Sequence, residues 1–158
     1  MTSLNSELII DSEVIRHNIS YIKGKIKNKS NFMAVIKSDA YGHLLEKLVP
    51  DIDDIVDGYG VVRIGEAKKI RKFSDKKVLL MQGVYSQLDH KKSVDLNLDL
   101  VVHNNDQFKL VEKNKNFTNL WMKVNTGMNR LGFEKDEFIN IYNEYLSNSE
   151  FVLMSHLA

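Results

Sequence analysis

The sequence contains no cysteine, which excludes disulfides, thiolate metal ligands and a cysteine nucleophile and leaves the cytosol as the expected compartment. Proline occurs once, at Pro50, and no Gly/Ser-rich tract or block of like charge interrupts the chain, so nothing marks a linker or a domain boundary. Charge of one sign is also missing, because 22 Lys and Arg stand against 21 Asp and Glu for a formal net charge of +1. Such a balance draws in neither nucleic acid nor anionic lipid and suits a small neutral or zwitterionic partner. No apolar run approaches the roughly 20 residues of a membrane helix. The start, Met1 to Glu7, is polar and lacks a basic stretch followed by an apolar one, so no secretory leader is read there. The expectation is a soluble, cytoplasmic protein.

What the chain does contain is enough apolar material for one core: 43% of its 158 residues are hydrophobic and 27% are charged. Asp11 or Ser12 can cap a helix running to about Lys27, with Val14, Ile15, Ile19, Ile22 and Ile26 spaced for one buried face. Phe32–Ile36 then reads as a short buried strand and Leu44–Val56 as a helix that Pro50 must break or kink. Further strands are expected at Tyr59–Val62, Val78–Met81, Leu98–Val102, Leu120–Val124 and Phe151–Met154. Helices are expected between them at Glu66–Lys72, Asp106–Glu112 and Glu134–Leu146.

Alternating strands and helices imply an α/β fold with parallel strands and right-handed crossovers. Periodicity leaves open an open doubly wound sheet and a (β/α)8 barrel, since both repeat the same unit. Six strands are too few to close the common barrel, and the sequence stops directly after the sixth, where a barrel would continue. On the barrel reading that abrupt end marks a truncated domain, and the open sheet remains the other reading.

Three segments carry chemistry. In AVIKSDAYGH, residues 34–43, an apolar strand ends on Lys37 and is followed at once by Asp39, Tyr41 and His43. An amine at the mouth of a sheet is partly desolvated, which favours the neutral nucleophile that forms Schiff bases. A strand-capping lysine pointing to solvent is the other reading of the same residue. In WMKVNTGMNRLGF, residues 121–133, a strand delivers Lys123 and leads into Gly127, Met128, Asn129, Arg130 and Gly132. The glycines allow a tight bend and Arg130 offers a planar fork for a carboxylate or phosphate, while a plain turn with a surface arginine also fits.

The third segment is MSHLA, residues 154–158, where His156 reads as a base, a ligand, a flat ring against a cofactor, or a structural histidine. Lys37, Arg130 and His156 all fall at or just after C-terminal ends of expected parallel strands, the end where such sheets hold their sites. His17, His90 and His103 lack partners at metal-ligand spacing, and there is no phosphate-binding glycine loop or nucleophile elbow. The Val61–Ala67 segment reads as a strand running into a helix, important for packing.

Taken together, the three segments resemble the bacterial alanine racemase family, whose members carry forms close to AVVKADAYGHG, KVDTGMNRLGF and MTHFA in the same order. The likeness runs from Asp11 to the chain end. It implies a partial pyridoxal-phosphate-binding barrel over residues 1–158, with the family's C-terminal β domain lying beyond the chain. It implies that Lys37 holds pyridoxal 5'-phosphate as a Schiff base and serves as the acid/base on the D-alanine face of Cα. Tyr41 corresponds to the tyrosine donating to the cofactor phosphate, and His156 to the histidine beside the pyridine ring. Arg130 corresponds to the arginine near the cofactor phenolic oxygen and the substrate carboxylate, Met128 to a backbone contact with that carboxylate, and Lys123 to a lysine that is often carbamylated.

The implied activity is interconversion of L-alanine and D-alanine for cell-wall peptidoglycan, by a homodimer, with this 158-residue chain inactive or weak by itself. The family's second base, a tyrosine of the partner subunit, lies outside the sequence. A non-catalytic pyridoxal-phosphate binder on the same barrel is the alternative, and a related decarboxylase or a degenerate interaction module are further rivals. Ser38 stands where the family usually has alanine, Leu44 where it has glycine, Asn125 where it has aspartate and Leu157 where it has phenylalanine. These departures leave the substrate range open beyond alanine.

Overall fold

The computed structural model describes residues 7–26, 30–114 and 119–157. The polar start over Met1–Ser6, Lys27 at the expected end of the first helix, and Ala158 of the last motif lie outside them.

Helix α1 (Ser12–Lys25) begins where Asp11 Oδ1 accepts the amides of Glu13 and Val14, at 3.0 and 3.3 Å. It leads to strand β1 (Met33–Val35), then to a single turn, α2 (Lys37–Tyr41), and to α3 (Leu45–Ile52). Helix α3 contains Pro50 and stops at Ile52, short of the expected Val56, where the chain leaves it through a turn closed by the Ile55 amide on the Ile52 carbonyl at 3.1 Å. The alternation continues with β2 (Gly58–Val61), α4 (Ile64–Ile70), β3 (Lys77–Leu80), α5 (Gln87–Asp95), β4 (Asp99–Val102), α6 (Asn105–Val111) and β5 (Leu120–Lys123). Helix α7 (Lys135–Ile141) runs into a π-helical turn, Tyr142–Leu146, before β6 (Val152–Met154).

Helix α5 escapes the apolar pattern because it has almost none to show: of its residues only Ser93 is buried. Its start is nevertheless written in the sequence. Ser86 Oγ accepts the Asp89 amide at 3.1 Å and donates to the Asp89 carboxylate at 2.9 Å, a Ser-x-x-Asp cap.

Among the described residues six strands form one sheet, all parallel, in the order β1-β2-β3-β4-β5-β6. That order separates the two architectures that periodicity leaves open. A doubly wound sheet reverses its strand order at a switch point, whereas strictly sequential strands with right-handed crossovers place every helix on one face. The sheet is thus a curled half-barrel, helices outside, and an incomplete barrel is what the sequence leads one to expect.

Register shows which side chains face inward. Val35 pairs with Gly60, Gly60 with Leu79 and Leu79 with Asp99; Val101 pairs with Trp121 and Trp121 with Val152. The alternate residues Ala34, Leu80, Leu100, Val102 and Met122 join Ile70, Phe108 and Val111 in the core between sheet and helices. Leu79 and Val101 are equally buried but stand outside that core, as inner-face residues should. Gly60 makes room there: a Cβ on it would lie 3.0 Å from Met81 Sδ and 3.3 Å from Val35 Cγ2. Low on the same face, Asp99 Oδ2 accepts Trp121 Nε1 at 2.9 Å and pairs with Lys77 Nζ at 3.2 Å.

Candidate active site

The first group of site residues is built at the end of β1. Ile36 still donates to the Gly60 carbonyl at 2.9 Å, and Lys37 is the next residue, half-buried. Beyond it Ser38, Asp39, Ala40 and Tyr41 all take positive φ, between 53° and 57°. Four successive L-residues in the left-handed region form a turn of left-handed helix, a conformation costing roughly 1–2 kcal/mol per residue. No glycine lies inside it; Gly42 (φ 91°) ends it. Strain of this kind persists only where the surroundings hold it, and it concentrates at functional sites.

The turn has a geometric result. One left-handed turn after Lys37 brings the Tyr41 ring back beside it, with Nζ 5.9 Å from the ring centroid, within cation–π range. Tyr41 is 60% exposed, so its hydroxyl is open to a ligand. Asp39 Oδ1 accepts the Leu45 amide at 3.1 Å, which ties the turn to the start of α3. Glu66, read from the sequence as part of a packing segment, reaches across from α4: Oε1 accepts the Ser38 amide at 2.7 Å, and Oε2 accepts the amides of Val62 and Arg63 at 3.0 and 2.9 Å.

The second group lies at the ends of β4, β5 and β6. Lys123, the last residue of β5, is only 8% exposed. Burial lowers its amine below the ordinary lysine range, and the neighbouring Arg130 charge pushes the same way. One register step beyond the Val102–Met122 pair, His103, the residue directly after β4, stands next to it. His103 is 6% exposed, and its Nε2 is buried without a hydrogen-bond partner. Burial lowers the imidazole, hydrogen bonds with the backbone of Gln82 and of His103 itself oppose this in part, and the Lys123 charge adds a smaller push downward. Spacing to metal ligands leads past this residue; a histidine one place after a buried strand, beside a strand-ending lysine, is the signal that marks it.

Arg130 sits in the loop that follows β5. Gly127 (φ 119°) and Gly132 (φ 128°) bend that loop, and Phe133 returns to donate to the Lys123 carbonyl at 2.8 Å. Asn125 closes it from within: Oδ1 accepts the amides of Gly127 and Asn129 at 3.1 and 3.0 Å, while Nδ2 donates to Asn129 Oδ1 and Glu134 Oε1 at 2.8 and 2.7 Å. Arg130 and Met128 are exposed on this loop, and Arg130 lines an open cleft with Asn125, Asn129, Leu131, Gly132 and Glu134. Thr126 and Ser155 hydroxyls meet at 2.6 Å, joining the loop to the segment that carries the exposed His156.

The six residues singled out in the sequence thus form two sets, Lys37 with Tyr41 and Lys123 with the Arg130 loop and the His156 segment, all at the C-terminal ends of strands. Among the described residues, no group of three or more His, Cys, Asp or Glu could hold a metal ion, and no helix is long and apolar enough to cross a membrane.

Fold and site together define a parallel β/α-barrel domain with a lysine at the end of its first strand and an arginine loop after its fifth. The chain belongs to the family of the alanine racemase N-terminal domain, whose pattern it matches over residues 10–158. An alanine racemase of Psychrobacter sp. (strain PRwf-1) is 33% identical over 161 residues, covering 98% of this chain. The chain spans 43% of that relative's length. The structure of alanine racemase from Acinetobacter baumannii superposes with a TM-score of 0.84 at 28% identity, over 94% of this chain and 46% of the other. Alanine racemase from Bartonella henselae with covalently bound pyridoxal phosphate shares the fold, with a TM-score of 0.78 at 20% identity, over 94% of this chain and 46% of that one.

Proposed function

We propose that this chain supplies the cofactor-holding face of a pyridoxal-phosphate-dependent alanine racemase. The observation that carries the reading is the pairing of Lys37 with Tyr41 across the left-handed turn: an amine and a phenol side by side at a strand end suit a ligand with an aldehyde and a phosphate. Family membership and the covalent pyridoxal phosphate of the Bartonella relative support it.

Lys37 would hold the cofactor covalently and Tyr41 would donate its hydroxyl to the phosphate. Arg130 would offer its fork to the substrate carboxylate and the cofactor phenolic oxygen, the Met128 backbone would contact the same carboxylate, and His156 would lie beside the pyridine ring. When bound, pyridoxal phosphate supplies an electron sink for the carbanion left at Cα. Lys37 takes or returns the Cα proton on one face, and racemisation needs a second proton carrier on the opposite face. The resemblance assigns that carrier to a tyrosine of a partner subunit, so the reading includes a homodimer; a cytoplasmic place and D-alanine for peptidoglycan belong to it as well.

Lys123 fits carbamylation. Its lowered pKa leaves more neutral amine, whose nitrogen attacks the carbon of CO2, forming an N–C bond and releasing one proton. The anion so formed would replace the repulsion between Lys123 and Arg130 with attraction and hold the fork in place.

The test is to mix the purified chain with pyridoxal phosphate, reduce with borohydride and map the modified lysine by mass spectrometry, alongside a chiral assay with D-alanine. A visible band and trapping on Lys37, both absent in Lys37→Ala, support the cofactor role. Scattered labelling of surface lysines refutes it. Trapping on Lys37 without racemisation by the chain, alone or joined to the rest of a racemase, favours a pyridoxal-phosphate binder that does not catalyse.

A further inference from the structure

We propose that Glu66 is the positioning residue for Lys37, acting through the backbone of the left-handed turn. The hydrogen bonds that close the turn, among them Ala40 amide to Ile36 carbonyl at 3.0 Å, Gly42 amide to Ser38 and Asp39 carbonyls at 3.3 and 3.1 Å and His43 amide to Ala40 carbonyl at 3.0 Å, begin at Ile36 and leave the Ser38 amide to another acceptor. That amide belongs to the peptide group directly after Lys37 and to the first left-handed residue. Glu66 Oε1 takes it at 2.7 Å from a different element of the fold.

The carboxylate is used on both sides. Oε2 accepts the amides of Val62 and Arg63, the two residues that lead from β2 into α4, so Glu66 locks the end of the second strand to the left-handed turn that follows the first. A charged acceptor sharing three backbone amides is a strong, directional fastening. It sets the plane of the Lys37–Ser38 peptide, and with that plane the direction in which the Lys37 side chain leaves the strand and the approach of Tyr41 to it. Asp39 fastens the far end of the turn to α3 but leaves the Lys37 end free.

Glutamine at this position separates positioning from mere capping. With its carbonyl oxygen toward Val62 and Arg63 it keeps two of the three contacts, and its NH2 then meets the Ser38 N–H, donor against donor. Alanine loses all three. The proposal rests on the cofactor reading only for its purpose, so the experiment has one arm that needs no cofactor. Lysines are reductively methylated with 13C-formaldehyde, and the Lys37 resonance, displaced by the Tyr41 ring, is followed with the exchange rate of the Ser38 amide.

In Glu66→Gln the ring displacement is expected to vanish and Ser38 exchange to rise by about tenfold or more, the value of one hydrogen bond to a charged group. The thermal midpoint should fall by a few degrees in Glu66→Gln and further in Glu66→Ala, which loses all three contacts but sets no donor against the Ser38 amide. In the second arm, borohydride trapping of pyridoxal phosphate on Lys37 should fall by about the same factor relative to exposed Lys68. An unchanged resonance and unchanged Ser38 exchange in Glu66→Gln overturn the proposal. Loss of both, in a chain whose parent takes no pyridoxal phosphate on Lys37, upholds the positioning and overturns the cofactor reading instead.

Discussion

Asn125 Nδ2 donates to Glu134 Oε1 at 2.7 Å, closing the arginine loop across its base. An aspartate at 125, the residue usual in the family this chain resembles, keeps the acceptor for Gly127 and Asn129 but sets one carboxylate against another. Asn125→Asp should destabilise the chain by about 1 kcal/mol at neutral pH, the worth of one partly exposed hydrogen bond. Salt should shrink the loss, because screening weakens the repulsion between two partly exposed carboxylates. Urea melts at low and high ionic strength check this, and equal losses at both would argue against the carboxylate clash.

Gly132 requires a different argument. Its φ of 128° is closed to L-side chains, and a Cβ there would lie 2.5 Å from the Asn125 amide nitrogen and 2.7 Å from the Val124 carbonyl carbon. Gly132→Ala should cost roughly 2–4 kcal/mol, as backbone strain adds to overlap with atoms that cannot swing aside. Substitution of Gly65, whose Cβ would meet nothing within 4 Å, serves as the control in thermal unfolding.

At the bottom of the inner face, Asp99 joins Lys77 to Trp121, the only tryptophan of the sequence. Asp99→Ala removes a charged acceptor and strands the indole N–H, for a loss of about 1.5–3 kcal/mol. Asp99→Asn keeps an acceptor for the indole and gives up only the ion pair to the exposed Lys77 amine, so its loss should stay under about 1 kcal/mol. Trp121 fluorescence reads both equilibria directly, and equal losses would show that the ion pair dominates.

His103 makes stability depend on pH. Its imidazole is held below the ordinary value by burial, so between the folded pKa and the unfolded value near 6.5 the unfolded chain binds more protons. Stability therefore falls as pH drops through about 6.5 and stops falling below the folded pKa. His103→Phe should flatten this slope. At pH 7 it should also cost little, because it removes a buried nitrogen that has no hydrogen-bond partner. Chemical unfolding at pH 7.5 and pH 5 gives the comparison; a slope equal to the parent's assigns the dependence to other groups.

Much of this structure is legible in the chain. The amphipathic spacing before Lys25, the Asp11 cap and the buried runs at Val78, Leu98 and Leu120 yield elements that the structure reproduces within a few residues, because periodicity and capping are local matters. Helix α5 is lost to that method, since it has almost no buried face, although its Ser86–Asp89 cap is present in the sequence.

The sequence by itself determined the composition of the core, the alternation of strands and helices, and the residue types at each strand end. Only the tertiary structure decided that the sheet is singly wound, because strand order depends on contacts between elements distant along the chain. It alone decided that Ser38–Tyr41 run left-handed, since four non-glycine residues have no local reason to do so and need Glu66, 28 positions away from Ser38, to hold them there. It also decided that His103 is buried beside Lys123, where burial, a property of the assembled sheet and its helices, moves both groups away from their ordinary proton affinities.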